Sequence, residues 1–97
     1  MPKLVISERA RADIKEISRY TQDRWGREQR IRYLEGFSVS LSGLLASRNI
    51  GKPRFEFGAG IRISLSGKHI IFFRRDDAGN IEVIRILHQS MDFSQHL

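Results

Sequence analysis

The run Gly60-Ile61-Arg62-Ile63-Ser64-Leu65-Ser66-Gly67-Lys68-His69-Ile70-Ile71-Phe72-Phe73-Arg74 decides how this chain folds. Ile61, Ile63 and Leu65 alternate with Arg62, Ser64 and Ser66, the period of two expected of a half-buried strand. Gly67-Lys68 is a two-residue hairpin turn. His69 to Arg74 carries apolar residues at successive positions, which fits a central strand covered on both faces. Asp76-Asp77-Ala78-Gly79-Asn80 has the residues of a second turn, and Ile81 to Leu87 those of a third strand. The expected unit is a three-stranded antiparallel meander.

Toward the N-terminus the period becomes helical. Ile31, Leu34, Phe37 or Ser38, Leu41, Leu44 and Leu45 predict a helix from Arg27 to Ser47, with Asn49, Gly51 and Pro53 as stop signals. Gly36 and Gly43 lie seven apart and are expected to line one face, where the first helix or the sheet comes close. Ala10, Ile14, Ile17 and Tyr20 or Thr21 predict an earlier helix from Glu8 to Arg24, N-capped by Ser7. Arg11, Lys15 and Arg19 share another face of it. Gly26 is expected to end this helix with a left-handed conformation, with Trp25 packed under the bend. So short a link makes the two helices an antiparallel hairpin. The apolar run Leu4-Val5-Ile6 reads as a first strand of the same sheet. The expected fold is one α+β domain over residues 1–97: an N-terminal strand and an antiparallel helical hairpin packed on a small, mainly antiparallel sheet.

Composition narrows the chemistry. The 97 residues suit a single domain. There is no cysteine, which excludes disulfides, thiolate metal sites and a thiol nucleophile. Three histidines, at 69, 88 and 96, lack zinc spacing, no glycine loop is built to cradle phosphate, and no cofactor is expected. No apolar run approaches the ~18 residues of a membrane span, and the first residues lack the apolar core of a signal peptide, so a cytoplasmic protein is expected. The formal net charge is +6, with arginine the main cation. Arginine pairs with carboxylates and phosphates, which points to an acidic peptide or to nucleic acid.

The chain resembles the ParE-type toxins of the RelE/ParE superfamily. The resemblance lies in Ala10-Arg11-Ala12-Asp13-Ile14, Ile17, Tyr20-Thr21 and Trp25-Gly26, then in Gln29, Tyr33-Leu34, Gly51 and Pro53. It is densest in Gly60-Ile61-Arg62, His69 to Arg74, Ile84 to Asp92 and His96-Leu97, and it spans nearly the whole chain. It implies a toxin of a type II toxin–antitoxin pair that inhibits DNA gyrase and is neutralised by a ParD-type antitoxin. The implied operon is repressed by the complex, with operator DNA contacted through the antitoxin.

Two branches of the superfamily differ in chemistry. RelE-type members cleave messenger RNA on the ribosome, which requires a base, an acid and a stabiliser of phosphate charge. Arg62, Arg74, Arg85 and His88 are the candidates for such a site. Each also has a simpler reading: Arg62 on the solvated or partner-facing side of its strand, Arg74 and Arg75 in ion pairs with Asp76 and Asp77, His88 as a structural hydrogen-bonding group. The expectation is therefore a non-enzymatic binder, with a RelE-type nuclease or a non-toxic co-repressor as alternatives. Arg11, Lys15, Arg19, Arg30 and Arg62 are the expected contacts for an acidic antitoxin segment that orders on binding. Arg74, Arg85, His88, Met91 and Asp92, in the third strand and the tail, are the expected contacts for the target.

Overall fold

Ser7 both ends the first strand and starts the first helix. In the computed structural model, which describes residues 1–46 and 50–97, β1 (Leu4–Ile6) runs into α1 (Glu8–Trp25) at this residue. The Ser7 hydroxyl accepts the Ala10 N–H at 3.0 Å, satisfying an orphan donor of the first turn, and donates to the Ile84 carbonyl at 2.7 Å. Glu8 in the first turn and Arg24 in the last suit the helix dipole. Ala10 and Thr21 are buried and Ile14 and Ile17 half-buried, so the apolar stripe continues through Thr21. Tyr20 falls outside it, 60% exposed.

Gly26 joins α1 to α2 (Arg27–Leu45) with a φ of +90°; its N–H donates to Gln22 O and its carbonyl accepts from Arg30 N–H. Trp25 does not pack under this bend. It is 65% exposed, with the Arg24 guanidinium 5.8 Å from its ring centroid. The second helix ends at Leu45; the predicted end Ser47 and stop Asn49 lie outside the described residues. Gly36 and Gly43 mark no close approach either. Beyond the adjoining backbone of its own helix, a Cβ built on each would meet no atom within 4 Å, among the described residues.

The sheet has five strands in the order β1-β5-β4-β3-β2, with β2 (Lys52–Pro53), β3 (Arg62–Ser66), β4 (His69–Arg75) and β5 (Ile81–His88). β1 pairs in parallel with β5, and every other pair is antiparallel. β4 is central as expected, and both its faces are covered. On one face Ile71 and Phe73, with Ile81, Val83 and Ile86 of β5, meet Ala10, Phe37 and Leu44 of the helices. On the other, Ile70 and Phe72 join Ile61 and Leu87 in a smaller cluster, roofed by Phe57, Phe93 and Leu97 from the loop and tail. Phe57 and Phe93 both stack edge-on against Phe72.

The alternation in β3 is present, with Ile61 buried and Ile63 half-buried, but Leu65 is exposed and the alternating serines are buried too. Cross-strand partners share a face, and Ser64 opposes Ile71 while Leu65 opposes Ile70. The serines therefore face the helices and are buried, with Ser40 Oγ donating to Ser66 Oγ at 3.0 Å, while Leu65 is 66% exposed. The second apolar face, not the helical one, explains why Ile61 and Ile63 are apolar. A bulge in β5 then sets the last strand. Phe73 pairs with Val83 but Phe72 with Arg85, so Ile84 is the extra residue. It lets Val83 and Ile86 both face the helices and turns Arg85 to the opposite side.

Glycine substitutions separate open from crowded positions. Gly36→Ala and Gly43→Ala are each expected to raise stability by about 1 kcal/mol, the helix-propensity difference. Gly51→Ala is expected to destabilise, because its φ is +70° and a Cβ would sit 2.6 Å from Ile63 O and 2.7 Å from the Phe73 ring. Urea unfolding midpoints of the three variants check both directions.

Candidate functional site

β1 covers only Ile81 to Val83 of β5, so the strand's outer edge would otherwise continue as bare backbone. The start of α1 satisfies it. Ser7 N–H donates to Val83 O at 3.0 Å, and Asp13 Oδ2 accepts the Ile86 N–H at 2.9 Å. The same carboxylate takes Arg85 in a two-pronged pair, Nε to Oδ2 and Nη2 to Oδ1, each at 2.8 Å. Both side chains are nearly shut from solvent, at 11% and 13% exposed. Hydrogen bonding to Asp13 holds the Arg85 pKa above its ordinary value. The third nitrogen, Nη1, donates to His96 O at 2.8 Å, and Arg9 donates to that carbonyl at 3.0 Å. One ion pair thus joins α1, β5 and the tail.

A groove of about 570 Å³ opens beside this pair, lined chiefly by Glu16, Ile17 and Tyr20 of α1 and by His69, His88 and Met91. Its polar floor is an imidazole pair. The His69 and His88 rings meet edge-on, centroids 5.3 Å apart. His69 Nδ1 is hydrogen-bonded to the Tyr33 hydroxyl, which also accepts the Lys68 N–H. Burial, then the neighbouring His88, hold the His69 pKa down at about 4, against a smaller opposing pull from Asp13. His88 Nδ1 accepts the Ser90 N–H at 3.1 Å and lies 2.7 Å from Ser90 Oγ, fixing the turn into the tail. Tyr33, His69 and Asp13 were named in the sequence reading within the family resemblance or as a histidine without zinc spacing, and none was marked as a site residue. The available signal was a carboxylate flanking the apolar stripe of α1, and a histidine beginning an otherwise apolar strand.

The expected target residues fall in three places. Arg85, His88 and Met91 line the groove. Asp92 caps the last turn, accepting Ser94 N–H and Oγ–H. Arg74 lies five residues along β4 from His69, roughly 16 Å at strand spacing. It donates to Ala59 O at 2.8 Å and approaches Glu82 across the ladder at 3.7 Å. The anticipated local pairing with Asp76 is not the arrangement found, because Asp76 accepts from Ala78 N and from Asn80 N and Nδ2 to close its own turn. Arg75 donates to Leu44 O.

Of the expected antitoxin residues, Arg11 donates to Ile6 O at 3.3 Å and Arg62 to Ile50 O at 2.6 Å and Gly51 O at 3.2 Å. Arg62 is half-buried, not on a free solvated face. Lys15, Arg19 and Arg30 come together in a second cleft, of about 280 Å³, between the two helices. Among the described residues, no group of side chains has the makings of a metal site, and no helix is long and apolar enough to cross a membrane.

A helical hairpin on one face of a five-stranded mixed sheet, closed by a tail over the other face, defines the RelE/ParE-like class of α+β folds. The likeness extends to a solved structure, a chain of the chromosomal ParDE toxin–antitoxin system from P. aeruginosa, with a TM-score of 0.75 over 91% of this chain and 96% of that one at 21% identity. Residues 4–93 match the family described as the ParE toxin of the type II toxin–antitoxin system parDE. Toxin ParE1 of Caulobacter vibrioides is 36% identical over 92 residues, covering 95% of this chain and 94% of that protein. Toxin ParE1 of Mycobacterium tuberculosis is 35% identical over 95 residues, covering 98% and 97%. The chain belongs to the ParE toxin family.

Two consequences of the geometry are measurable. Asp13→Ala would strand both Arg85 and the Ile86 N–H, and a loss of about 3–5 kcal/mol in unfolding free energy is expected, as for other broken buried pairs. For His69, the folded chain refuses a proton that the unfolded chain accepts below the ordinary value of 6.5. Its contribution is therefore complete above that pH and declines as pH falls toward about 4. Chemical unfolding across this window should show a shallower acid loss in His69→Gln than in the wild type.

Proposed function

We propose that this chain is a toxin that inhibits DNA gyrase by binding, without catalysis, and is neutralised by a ParD-type antitoxin. One observation carries the choice of binding over phosphodiester cleavage: the arginines a nuclease would need are committed to structural bonds. Arg62 and Arg74 are tied to backbone carbonyls of the loop, and Arg85 is enclosed by Asp13 and His96 O. Among the described residues, the arginine lining the groove with His88 is Arg85, already bound to Asp13, and the Nδ1 of His88 is occupied by Ser90. The family match over residues 4–93 supports the toxin reading independently.

The target surface in this reading is the groove and its rim. His88 and Met91 supply contact, Arg85 holds the tail that carries them, and Asp92 caps that tail; Arg74 extends the surface along the sheet. The antitoxin surface in this reading centres on Lys15, Arg19 and Arg30, with Arg11 and Arg62, each already holding a backbone carbonyl, at its margin, and an acidic, initially disordered segment suits it. The complex works in the cytoplasm and meets operator DNA through the antitoxin.

Supercoiling of relaxed plasmid by purified gyrase tests the reading. Added toxin is expected to inhibit, and prior mixing with the ParD-type antitoxin to restore activity. Folded toxin that leaves gyrase untouched but cuts messenger RNA on ribosomes would overturn it.

A further inference from the structure

Arg30 presents an unexplained donor. Its Nε is sealed from solvent and, among the described residues, has no hydrogen-bond acceptor, a state that is rare in folded proteins. It lines the cleft between the helices with Lys15, Ser18, Arg19, Gln22 and Asp23. Lys15, Arg19 and Asp23 stand at successive intervals of four on α1, so they share a strip of that helix. Arg30 approaches from α2, one turn past the Gly26 link. Among the described residues the cleft's three cations enter no ion pair, and a single carboxylate lines it with them. The recess therefore holds net positive charge and neutral donors from Ser18 and Gln22.

We infer that this cleft is a socket for one carboxylate side chain of the antitoxin, an aspartate or glutamate received between Arg30 and the Lys15–Arg19 strip. The inference rests on the antitoxin reading above and names its anchoring contact. A carboxylate entering the cleft pairs with the guanidinium of Arg30 from α2 and with Lys15 or Arg19 from α1, charge-assisted contacts from both helices at once. Phosphate fits the observations less well. Asp23 in the lining repels a doubly charged group more than a singly charged one. A cleft of about 280 Å³ also admits a side chain, whereas a duplex backbone needs a track of projecting cations. An acceptor here also gives the antitoxin a foothold on the helical hairpin, on a different strip of α1 from the one that lines the groove formed with the tail.

The test compares wild type and Arg30→Gln. Glutamine is a good helix former and keeps a donor, so the hairpin is expected to persist. Calorimetric titration with the ParD-type antitoxin should show affinity reduced by about ten- to a hundredfold in the variant, with a shallower salt dependence. In the wild type, the Arg30 Nε–H resonance should shift on antitoxin binding, a readout that needs no variant. Equal affinities with an unmoved Arg30 resonance would overturn the socket while leaving the antitoxin reading intact. Failure of the wild type to bind antitoxin would overturn both. Duplex DNA binding by the isolated toxin that Arg30→Gln abolishes would also overturn it, by making the cleft a phosphate site.

Discussion

A strand that outruns its neighbour leaves donors and acceptors facing outward, and the cost of leaving them unmet is set by how dry the edge becomes. β5 is in that position. β1 accompanies it for three residues, after which the Ser7 N–H takes Val83 O and, further along, α1 has only side chains to offer the edge. A single carboxylate, Asp13, resolves the conflict by accepting the Ile86 N–H and then pairing with Arg85. Because Arg85 also holds His96 O, the placement of α1, the end of the sheet and the course of the tail are decided together. The groove is the space these three leave between them.

The second constraint is that β4 is buried on both faces. One face has two helices to cover it. The other has only the loop, the tail and a few aromatic rings, so its cluster is small and depends on Phe57 and Phe93 folding over Phe72. The bulge at Ile84 reconciles the two layers, since it keeps Val83 and Ile86 under the helices while sending Arg85 to the side where the tail passes.

Charge is divided in the same way. The net +6 suggested a basic surface waiting for a partner, yet much of the guanidinium is spent inside the fold. Arg9, Arg11, Arg62, Arg74, Arg75 and Arg85 each donate to a backbone carbonyl, where a delocalised cation with five donors serves irregular backbone well. Lys15, Arg19 and Arg30 are different, gathered in a recess with one buried N–H unanswered. Composition reports how much positive charge there is; only the bonds report which of it remains for another molecule.

The sequence by itself determined the element types and their order. Hydrophobic period is a local property, and so are the Ser7 cap, the Gly67-Lys68 turn and the Asp76–Asn80 turn, each of which depends on residues within a few positions. It also identified the family, whose likeness runs through segments from one end of the chain to the other. It could not say which face of β3 meets the helices, because alternation fixes only that two faces differ, and here both sides of the sheet have a core. Nor could it separate structural from available arginines, or foresee Asp13 with Arg85, 72 positions apart, and His69 with His88. Those pairings exist only once the bulge, the parallel first strand and the helix across the sheet edge have set the register, so tertiary structure alone decided the site.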